Sequence, residues 1–266
     1  MEDNYEGFKK DVFQLTKIDL NAYKERQMKR RIDTLISKSG ISSYKQYIEL
    51  LKKDKDKFEE FVTYLTINVS EFYRNPEQWK ILEKSILPTL FEKFGKKLKI
   101  WSAACSTGDE PYSLVMLLSK FVPLSNIEII ATDIDKQILE KAKAGLYTDK
   151  SLKALPEEFV TKYFEKINEK TYAISDKIKS CVKFQQHNLL KDTYPSQCDL
   201  IVCRNVMIYF TEEAKSDIYA KFNQALKPGA FLFVGSTEQM VQPKNFGFES
   251  VYSCLLYTSD ACRRLV

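Results

Sequence analysis

The chain has 266 residues, of which 44% are hydrophobic and 29% are charged, as in an ordinary soluble globular protein. No apolar run approaches the roughly 18–20 residues of a transmembrane helix, which excludes a membrane span. The formal net charge of +5 is too mild to indicate a nucleic-acid partner by itself.

Histidine and cysteine usage limits the chemistry further. His187 is the single histidine. A catalytic triad, a histidine metal site or a histidine general base is therefore disfavoured, and we expect no metal. The six cysteines form no C-x-x-C pair, which favours reduced thiols over disulfides or zinc. The acidic, polar first residues do not resemble a secretory signal. We therefore expect a cytoplasmic protein.

Residues 1–72 carry helical patterns and no strand pattern, which predicts an all-α N-terminal domain and linker. On the second predicted helix, residues 23–38, apolar residues recur at i, i+4, i+7 and i+8. The same helix carries six Lys or Arg residues against two acids. This excess fits either a solvated charged face or a docking surface for an acidic partner, and the sequence leaves both open.

The segment 65–76 connects these helices to the rest of the chain and alternates small polar with apolar residues. It contains Asn68 and Ser70, and it places Arg74 shortly before a proline. Polar side chains on a connection between domains often face a cleft, so the segment is either a structured linker or part of a site. A helix over residues 77–94 is predicted to follow.

A buried strand, a turn of small residues and a helix are predicted over residues 98–118. This is the geometry of a nucleotide-type ligand site at the carboxyl end of a parallel strand, and Gly108 would let the backbone come close to a ligand. The turn carries Asp109 and Glu110 and lacks the glycine-rich phosphate motifs. We therefore expect a ligand with a positive charge or free hydroxyls.

A second buried strand, residues 127–135, ends in two acids. In doubly wound folds an acid at this place accepts hydrogen bonds from ribose hydroxyls, whereas the alternative is an N-cap for the helix over residues 136–143. We predict the ribose role for Asp133 and the cap role for Asp135.

Residues 150–180 are less regular and predict a helix over 152–164 and a small hairpin subdomain near 165–183. Further buried strands are predicted over residues 181–188, 198–203 and 230–235, with a helix over 212–226 before the last. The alternation predicts a doubly wound, mostly parallel α/β sheet over residues 73–258, with ligands at the carboxyl ends. The polar residues at such ends are Asp109, Glu110, Asp133, Asn188, Arg204 and Asn205.

The pattern at the end of the chain predicts a hairpin followed by a tail. Residues 246–257 have the pattern of a final antiparallel hairpin. Residues 259–266 have no evident packing role, and we expect a frayed or non-native tail.

Four segments of the chain match one known family in order and with its spacing. They are Asn68-Val-Ser-Glu-Phe-Tyr-Arg74, Ala104-Cys-Ser-Thr-Gly-Asp-Glu-Pro-Tyr-Ser113, Ala131-Thr-Asp-Ile-Asp135 and Cys203-Arg-Asn-Val-Met-Ile-Tyr-Phe210. Together they resemble the CheR-type chemotaxis receptor methyltransferases. The resemblance implies a class I S-adenosylmethionine-dependent methyltransferase fold. It also implies an enzyme that forms methyl esters on glutamate side chains of bacterial chemoreceptors, with S-adenosyl-L-homocysteine as product.

The resemblance further implies residue roles. The residues around the cofactor would be Asn68, Ser70, Arg74, Glu110, Asp133, Asn188, Leu189, Arg204 and Asn205. Arg74 and Tyr209 would act at the reacting centre. Receptor docking would use Lys24, Arg30 and Arg31 on the basic helix. We expect a monomer that meets the membrane only through its receptors and binds no nucleic acid.

The chemistry of carboxylate methylation agrees with this composition. A glutamate with a pKa of about 4.3 is already ionised at neutral pH, so no general base is required. Arg74 can hold a carboxylate bidentately, and the sequence leaves open whether that carboxylate belongs to the substrate or to the cofactor.

Two departures from the family pattern are mild: Ser70 stands where many members have Thr, and Asp109 where Glu is more common. The hairpin near 165–183 is short, which leaves open whether it binds a receptor's C-terminal peptide tether, as some members do.

Two other functions compete with this interpretation. A methyltransferase for exocyclic base nitrogens would carry a Pro-Pro-aromatic clamp after the fourth strand, where this chain has Arg204-Asn-Val-Met-Ile-Tyr209. A non-catalytic module that binds cofactor and receptor would have no need of both Arg74 and Tyr209.

Overall fold

The structure is a computed structural model that describes residues 4–252 and 256–259, with side chains described up to Tyr252. The predicted tail, residues 259–266, lies outside the described residues apart from the backbone of its first residue. The chain divides into two compact units. We call them the helical unit, Met1–Asn68 with Tyr209–Lys215, and the sheet unit, Val69–Ile208 with Ser216–Val266.

The described part of the helical unit is built from α-helices, in agreement with the predicted all-α domain. These helices are α1 (Tyr5–Thr16), α2 (Glu25–Lys38), α3 (Tyr44–Lys53) and α4 (Lys55–Leu65), with a short 3-10 turn at Leu20–Ala22. The side chains of Asn4, Ser43 and Asp54 accept backbone N–H groups of the first turns of α1, α3 and α4. Such caps satisfy N–H groups that have no partner within a helix.

The last segment of the helical unit, Tyr209–Lys215, is held by main-chain contacts. Tyr23 and Phe210 form an antiparallel bridge, with ring centroids 4.9 Å apart. The N–H of Lys24 donates to the carbonyl of Tyr209 at 2.9 Å. These bonds attach a piece of chain that follows the sheet to the helices.

The remaining helices begin with α5 (Pro76–Ile81), which runs through a π-helical turn (Leu82–Ile86) into α6 (Leu87–Phe94). The others are α7 (Asp109–Leu118), α8 (Lys136–Ala144), α9 (Asp149–Leu152), α10 (Glu157–Tyr163), α11 (Asp176–Lys179) and α12 (Glu212–Ala225). Short 3-10 turns lie at Leu124–Asn126, Met207–Tyr209 and Pro243–Phe246.

The main sheet has seven strands in the order β6-β2-β1-β7-β8-β10-β9. Its strands are β1 (Ile100–Ala103), β2 (Ile129–Asp133), β6 (Val182–Gln186), β7 (Cys198–Cys203), β8 (Leu226–Val234), β9 (Phe248–Tyr252) and β10 (Leu256–Ser259). The first five in sheet order pair in parallel, and β10 pairs antiparallel with β8 and β9. The predicted mostly parallel sheet and its final antiparallel hairpin are confirmed.

Burial along β1 and β7 explains why these strands read as continuous apolar runs. Every residue of both strands is buried, as expected for central strands of a parallel sheet with both faces covered. The sheet therefore holds the carboxyl ends of its strands in fixed positions, and the polar residues that follow these strands are held in place with them.

A second, three-stranded antiparallel sheet has the order β3-β5-β4, with strands β3 (Leu146–Thr148), β4 (Phe164–Asn168) and β5 (Thr171–Ile174). The sequence predicts the β4–β5 hairpin but misses β3, which has three residues. The helix predicted over 152–164 is wrong between α9 and α10, because α10 begins only after Pro156, and proline supplies no N–H for a continuous helix. Among the described residues, no helix is both long and apolar enough to span a bilayer.

Candidate cofactor site at the carboxyl edge of the sheet

Four neighbouring parallel strands end in the residues that the sequence singles out. In sheet order, Asn188 follows β6, Asp133 ends β2, Glu110 lies in the first turn of the helix after β1, and Arg204 follows β7. The carboxyl ends of parallel strands lie at the same edge of a sheet. The structure thus brings these four residues together along one edge of the sheet unit.

Asp133 is a buried carboxylate held by backbone N–H groups. Its Oδ2 accepts from Ser106 N at 2.9 Å, and its Oδ1 accepts from Asp135 N at 3.0 Å. Each oxygen keeps a further lone pair for a ligand. Burial raises the pKa of Asp133 to about 6, so the group is ionised at neutral pH. Asp135 caps α8 through its side chain, as predicted.

Glu110 lies in the first turn of α7, behind the turn that follows β1. It accepts a hydrogen bond from the Ser102 hydroxyl at 2.8 Å, and its Oε2 lies 3.6 Å from Nη1 of Arg204. Burial raises the pKa of Glu110 to about 6 although the arginine lowers it. Glu110 is therefore a second acceptor at this edge, and its side chain is partly buried.

Gly108 has φ +87°, but the close approach there is to protein atoms. A Cβ at this position would lie 3.0 Å from Cβ of Ala142 and 3.1 Å from the ring of Tyr112. Helix packing and the positive φ thus already account for a glycine here, and the close approach of a ligand to the backbone of Gly108 stays a prediction.

Arg204 is buried and its hydrogen bonds stay within the protein. Nη2 donates to the carbonyl of Arg74 at 2.6 Å and to Oε1 of Gln78 at 2.5 Å. The guanidinium carbon lies 5.5 Å and 4.9 Å from the ring centroids of Trp79 and Phe233. Burial lowers the pKa of Arg204. Arg204 therefore fastens the start of α5 to the end of β7, and its predicted cofactor contact stays a prediction.

Asn205 has a left-handed backbone, with φ +61°. Its Oδ1 is buried and has no hydrogen-bond partner among the described residues. An unpartnered buried oxygen costs on the order of 1–3 kcal/mol. A ligand that donates a hydrogen bond would remove this cost.

Glu238, which the sequence reading missed, organises the turn after β7. Its Oε2 accepts from the N–H groups of Asn205 and Gly235 at 2.5 and 2.8 Å. Its Oε1 accepts from Val206 and Met207, both at 2.6 Å. In the sequence, Glu238 is recognisable only as an acid shortly after the fifth predicted strand. All four of its partners are main-chain groups, so no pattern of side chains in the sequence indicates its role.

Ser70 lies on the segment 69–74, which packs on the start of α7. Burial raises the pKa of the Asp109 carboxyl, and the nearby Ser70 side chain lowers it. The N–H of Tyr73 donates to the Ser113 hydroxyl at 3.2 Å, and that hydroxyl donates to the carbonyl of Asp109 at 2.6 Å. These bonds order the segment, and the predicted cofactor role of Ser70 stays a prediction.

Arg74 ends this segment with a half-buried side chain. Its Nη1 donates to the carbonyl of Val69 at 3.2 Å. Within the part of the chain that the structure describes, no carboxylate lies within 4.0 Å of its guanidinium. The guanidinium therefore keeps donors for a carboxylate from another molecule.

Asn188 and Leu189 form a tight turn after β6. Oδ1 of Asn188 accepts from Leu190 N at 2.9 Å, and Asn188 N donates to Asp192 at 2.8 Å. The carbonyl of Leu189 accepts from the Tyr194 hydroxyl at 2.6 Å. This turn is fixed by its own hydrogen bonds.

The other predicted site residues belong to the helical unit. Asn68 donates to the Thr66 hydroxyl at 2.8 Å, and Tyr209 accepts the main-chain bond from Lys24 described above. Their predicted roles, contact with the cofactor for Asn68 and action at the reacting centre for Tyr209, stay predictions.

The predicted docking residues differ in exposure. Lys24 and Arg30 are exposed. Arg31 instead donates to the carbonyl of Tyr64 at 2.8 Å and packs its guanidinium 4.6 Å from the Tyr64 ring centroid. Arg31 therefore contributes to the packing of α2 on α4, and less of its charge faces a partner.

No group of three or more His, Cys, Asp or Glu side chains in the described part of the chain is arranged to hold a metal ion. Cys105, Cys181, Cys198 and Cys203 are free and buried, and burial raises the pKa of Cys105 and Cys203. Burial lowers the pKa of His187, so that histidine is neutral at physiological pH.

Comparison with known protein families identifies the family to which the chain belongs. The family description "CheR methyltransferase, SAM binding domain" matches residues 68–253, and "CheR methyltransferase, all-alpha domain" matches residues 3–66. The chain belongs to the CheR methyltransferase family. It is an S-adenosylmethionine-dependent methyltransferase, as the resemblance in the sequence implies.

Full-length relatives agree with this family assignment. A chemotaxis protein methyltransferase of Listeria monocytogenes is 42% identical over 252 residues, which cover 94% of this chain and 95% of the relative. Chemotaxis protein methyltransferase 1 of Pseudomonas aeruginosa is 34% identical over 234 residues, which cover 84% and 85% of the two chains.

The acceptors at the carboxyl edge fit this CheR cofactor. S-adenosylmethionine presents ribose hydroxyls and an amino cation, and both donate hydrogen bonds. The edge offers Asp133, Glu110 and the unpartnered Oδ1 of Asn205. The carboxylates can accept hydrogen bonds from the amino cation and the hydroxyls, and Oδ1 of Asn205 can accept a further hydrogen bond. These acceptors therefore complement the donors of the cofactor. The acidic turn, which disfavours a pyrophosphate, matches the same ligand.

Proposed function

We propose that the chain methylates glutamate carboxylates of bacterial chemoreceptors. The observation that carries this proposal is the combination of buried acceptors at one sheet edge with the carboxylate-free guanidinium of Arg74 on the segment tied to that edge. The acceptors suit the cofactor, and the guanidinium suits a carboxylate. An ionised glutamate needs no general base, so the reaction does not require the neutral His187.

Different residues of the sheet unit bind the cofactor and orient the carboxylate. Asp133 holds the ribose hydroxyls, while Glu110 and Asn205 accept hydrogen bonds from the amino group. When bound, the cofactor supplies a methyl group activated by a sulfonium. Arg74 orients a carboxylate, and its own position is fixed because its carbonyl accepts bonds from Arg204 and from the Trp79 indole at 3.0 Å. Alignment of the reacting atoms, rather than proton transfer, is the main contribution of the protein.

Two carboxylates compete for Arg74 in this proposal. If Arg74 orients the receptor glutamate, its removal raises the KM for receptor or lowers kcat and leaves cofactor affinity unchanged. If Arg74 anchors the cofactor's own carboxylate, its removal weakens cofactor binding directly. Measuring the affinity for S-adenosyl-L-homocysteine in an Arg74→Ala variant separates the two roles.

Receptor docking is proposed for the exposed basic side of α2. Lys24, Arg26 and Arg30 are exposed, and Arg26 and Arg30 line an open groove with Lys38. Within the groove Lys29 is paired with Asp33 at 2.9 Å, so the surplus charge lies on the arginines. A positive surface of this kind increases encounter rates with an acidic helical partner and fixes the register of docking.

The proposal is tested by the chemistry of the product. The full chain is incubated with methyl-labelled S-adenosylmethionine and receptor-enriched membranes, and the product is then treated with alkali. We expect methanol to be released, because carboxyl esters are labile to base. Base-stable label on protein would contradict the glutamate assignment. Transfer to RNA or DNA with a steep salt dependence would favour the nucleic-acid alternative.

Two variants serve as controls in this experiment. Arg74→Ala should lose transfer while still folding. Asp199→Asn, a change at the opposite end of β7 where Asp199 pairs with Lys227, should retain transfer. Loss of transfer in both variants would point to general destabilisation.

A further inference from the structure

Four backbone N–H groups converge on the side chain of Glu238. Three of them belong to the consecutive residues 205–207 after β7, and the fourth belongs to Gly235 after β8. The side chain is 4% exposed. A buried carboxylate is costly unless it is fully hydrogen-bonded. The four bonds satisfy the buried carboxylate, and they link the turn after β7 to the end of β8.

Gly235 is required for this arrangement. A Cβ at position 235 would lie 2.5 Å from Oε2 of Glu238 and 2.9 Å from the backbone nitrogen of Asn205. Real Cβ atoms do not approach so closely. The end of β8 thus comes into direct contact with the turn that follows β7, and the carboxylate of Glu238 bridges the two.

The turn held in this way carries a strained backbone and an unused acceptor. Asn205 has φ +61°, and its buried Oδ1 has no hydrogen-bond partner among the described residues. Non-glycine residues in this region of φ cost free energy and persist where surrounding contacts hold them. The bond from Asn205 N to Glu238 is such a contact. Its effect is to hold the side-chain oxygen of Asn205 in place before any ligand arrives.

We propose that Glu238 is a positioning residue for cofactor binding, which acts by presenting Oδ1 of Asn205. The inference rests on the role of Asn205 in the proposed function. Glu238 itself makes its four bonds to the protein main chain, so its effect on the cofactor is indirect. It pre-organises an acceptor that would otherwise have to be ordered on binding.

The test uses Glu238→Gln in the full chain. Glutamine has nearly the same shape, but its NH₂ group faces N–H donors in either orientation, so two of the four bonds are lost. We expect the Kd for S-adenosyl-L-homocysteine, measured by calorimetry on folded protein, to rise tenfold or more. The KM for S-adenosylmethionine should rise with it while the KM for receptor stays constant. Glu238→Asp, which keeps the charge, should recover part of the affinity.

Asp199→Asn is the matched control. Asp199 is equally buried at the other end of β7, where it accepts a main-chain bond from Lys99 N at 2.7 Å. This variant should lose a similar amount of thermal stability and bind S-adenosyl-L-homocysteine as the unmodified protein does. An unchanged Kd in folded Glu238→Gln would overturn the proposal, and so would an equal loss of affinity in the control.

A third variant separates this proposal from the one on which it rests. Asn205→Ala should weaken S-adenosyl-L-homocysteine binding, and adding Glu238→Gln to it should weaken binding little further, because both changes act through one acceptor. If Asn205→Ala binds normally, the role of Asn205 fails. If Asn205→Ala binds weakly but the two effects add fully, only the role of Glu238 fails.

Amide hydrogen exchange in the unmodified protein covers the case in which Glu238→Gln does not fold. The N–H groups of residues 205–207 should exchange slowly because Glu238 accepts them, and S-adenosyl-L-homocysteine should slow them further. Exchange that the ligand leaves unchanged would contradict the proposal.

Discussion

The two ends of β7 both bury paired charges, but they differ in the groups around those pairs. At the amino end, Asp199 accepts a main-chain N–H and lies 2.7 Å from Lys227. At the carboxyl end, buried Arg204 lies 3.6 Å from the partly buried Glu110. Buried Glu238 binds the turn there, which also carries the unpartnered Oδ1 of Asn205. We assign the pair at the amino end to the fold alone, and we propose that a ligand uses the acceptors at the carboxyl end.

Backbone strain occurs at both ends of β7. Asn205 follows the strand with φ +61°, and Gln197 precedes it with φ +56°. Ala104 and Ser106, which follow β1, also have positive φ. Residues other than glycine adopt this conformation rarely and at a cost. Strain alone therefore does not mark the ligand edge, and the two ends differ in their side chains. The following predictions test whether function is confined to the carboxyl edge.

The largest effect is expected from Arg74→Ala. Turnover should fall by about a hundredfold or more, on the order of 2.7 kcal/mol, because the guanidinium that orients a carboxylate is gone. The thermal midpoint should barely change, since the bonds from Trp79 and Arg204 go to the main-chain carbonyl of this residue and survive. Single-turnover kinetics and a melting curve check both. Arg74→Lys, which keeps charge without the planar fork, should recover only part of the rate. Near-normal turnover would reduce the segment 69–74 to a linker.

The second effect is a pH dependence of stability that originates at the carboxyl edge. Burial raises the pKa of Asp133 from 3.8 to about 6. The folded protein therefore keeps this proton to higher pH than the unfolded chain, and the stability from this group falls as the pH rises from about 4 to about 6. Relative to Asp133→Asn, the unfolding free energy of the unmodified protein without ligand should decline by on the order of 2 kcal/mol across that range. Denaturant titrations at several pH values measure it. Parallel curves for the two proteins would show that Asp133 is not desolvated.

The third effect concerns the same residue and the cofactor. Asp133→Asn should weaken S-adenosyl-L-homocysteine binding at least tenfold at neutral pH, because a charge-assisted hydrogen bond contributes about 1.5–3 kcal/mol. Asparagine keeps an acceptor for Ser106 N or Asp135 N, which makes it a milder test of the fold than alanine. Calorimetry beside the Asp199→Asn control gives the comparison. Equal affinity in the two variants would remove Asp133 from the site.

The smallest effect is expected far from the sheet edge. Reversing Arg26 and Arg30 to Glu should raise the KM for receptor severalfold and flatten its salt dependence, because exposed charges act mainly on encounter. Cofactor affinity should stay constant. Lys45→Glu with Lys53→Glu, two exposed lysines on α3, changes the net charge equally and serves as the control. If both pairs shift the KM alike, only net charge matters and α2 has no special role.

The sequence predicts the fold and the residues of the edge well, for physical reasons. Strand and helix alternate with clear periodicity, and polar residues that end buried strands must meet at one edge. Asp133 and Asp135 lie two residues apart, and the cap could be assigned to Asp135 because helix starts have a local signature.

What the sequence could not predict depends on contacts between distant parts of the chain. Glu238 is 31 to 33 residues from its partners in the turn after β7, and those partners are backbone groups without a side-chain signature. The hydrogen bonds of Arg204 reach the start of α5, which lies well over a hundred residues earlier, so no local pattern predicts them. The approach of Gly108 to Ala142, which lies on another helix, is equally invisible in the local sequence.

The most direct test of the account is a crystal structure of the full chain with S-adenosyl-L-homocysteine bound. We expect ribose hydroxyls within hydrogen-bonding distance of the Asp133 carboxylate and a ligand donor on Oδ1 of Asn205. A ligand bound at another place, or bound here with Asp133 and Asn205 both out of contact, would contradict the claim that the carboxyl edge of the sheet is the cofactor site.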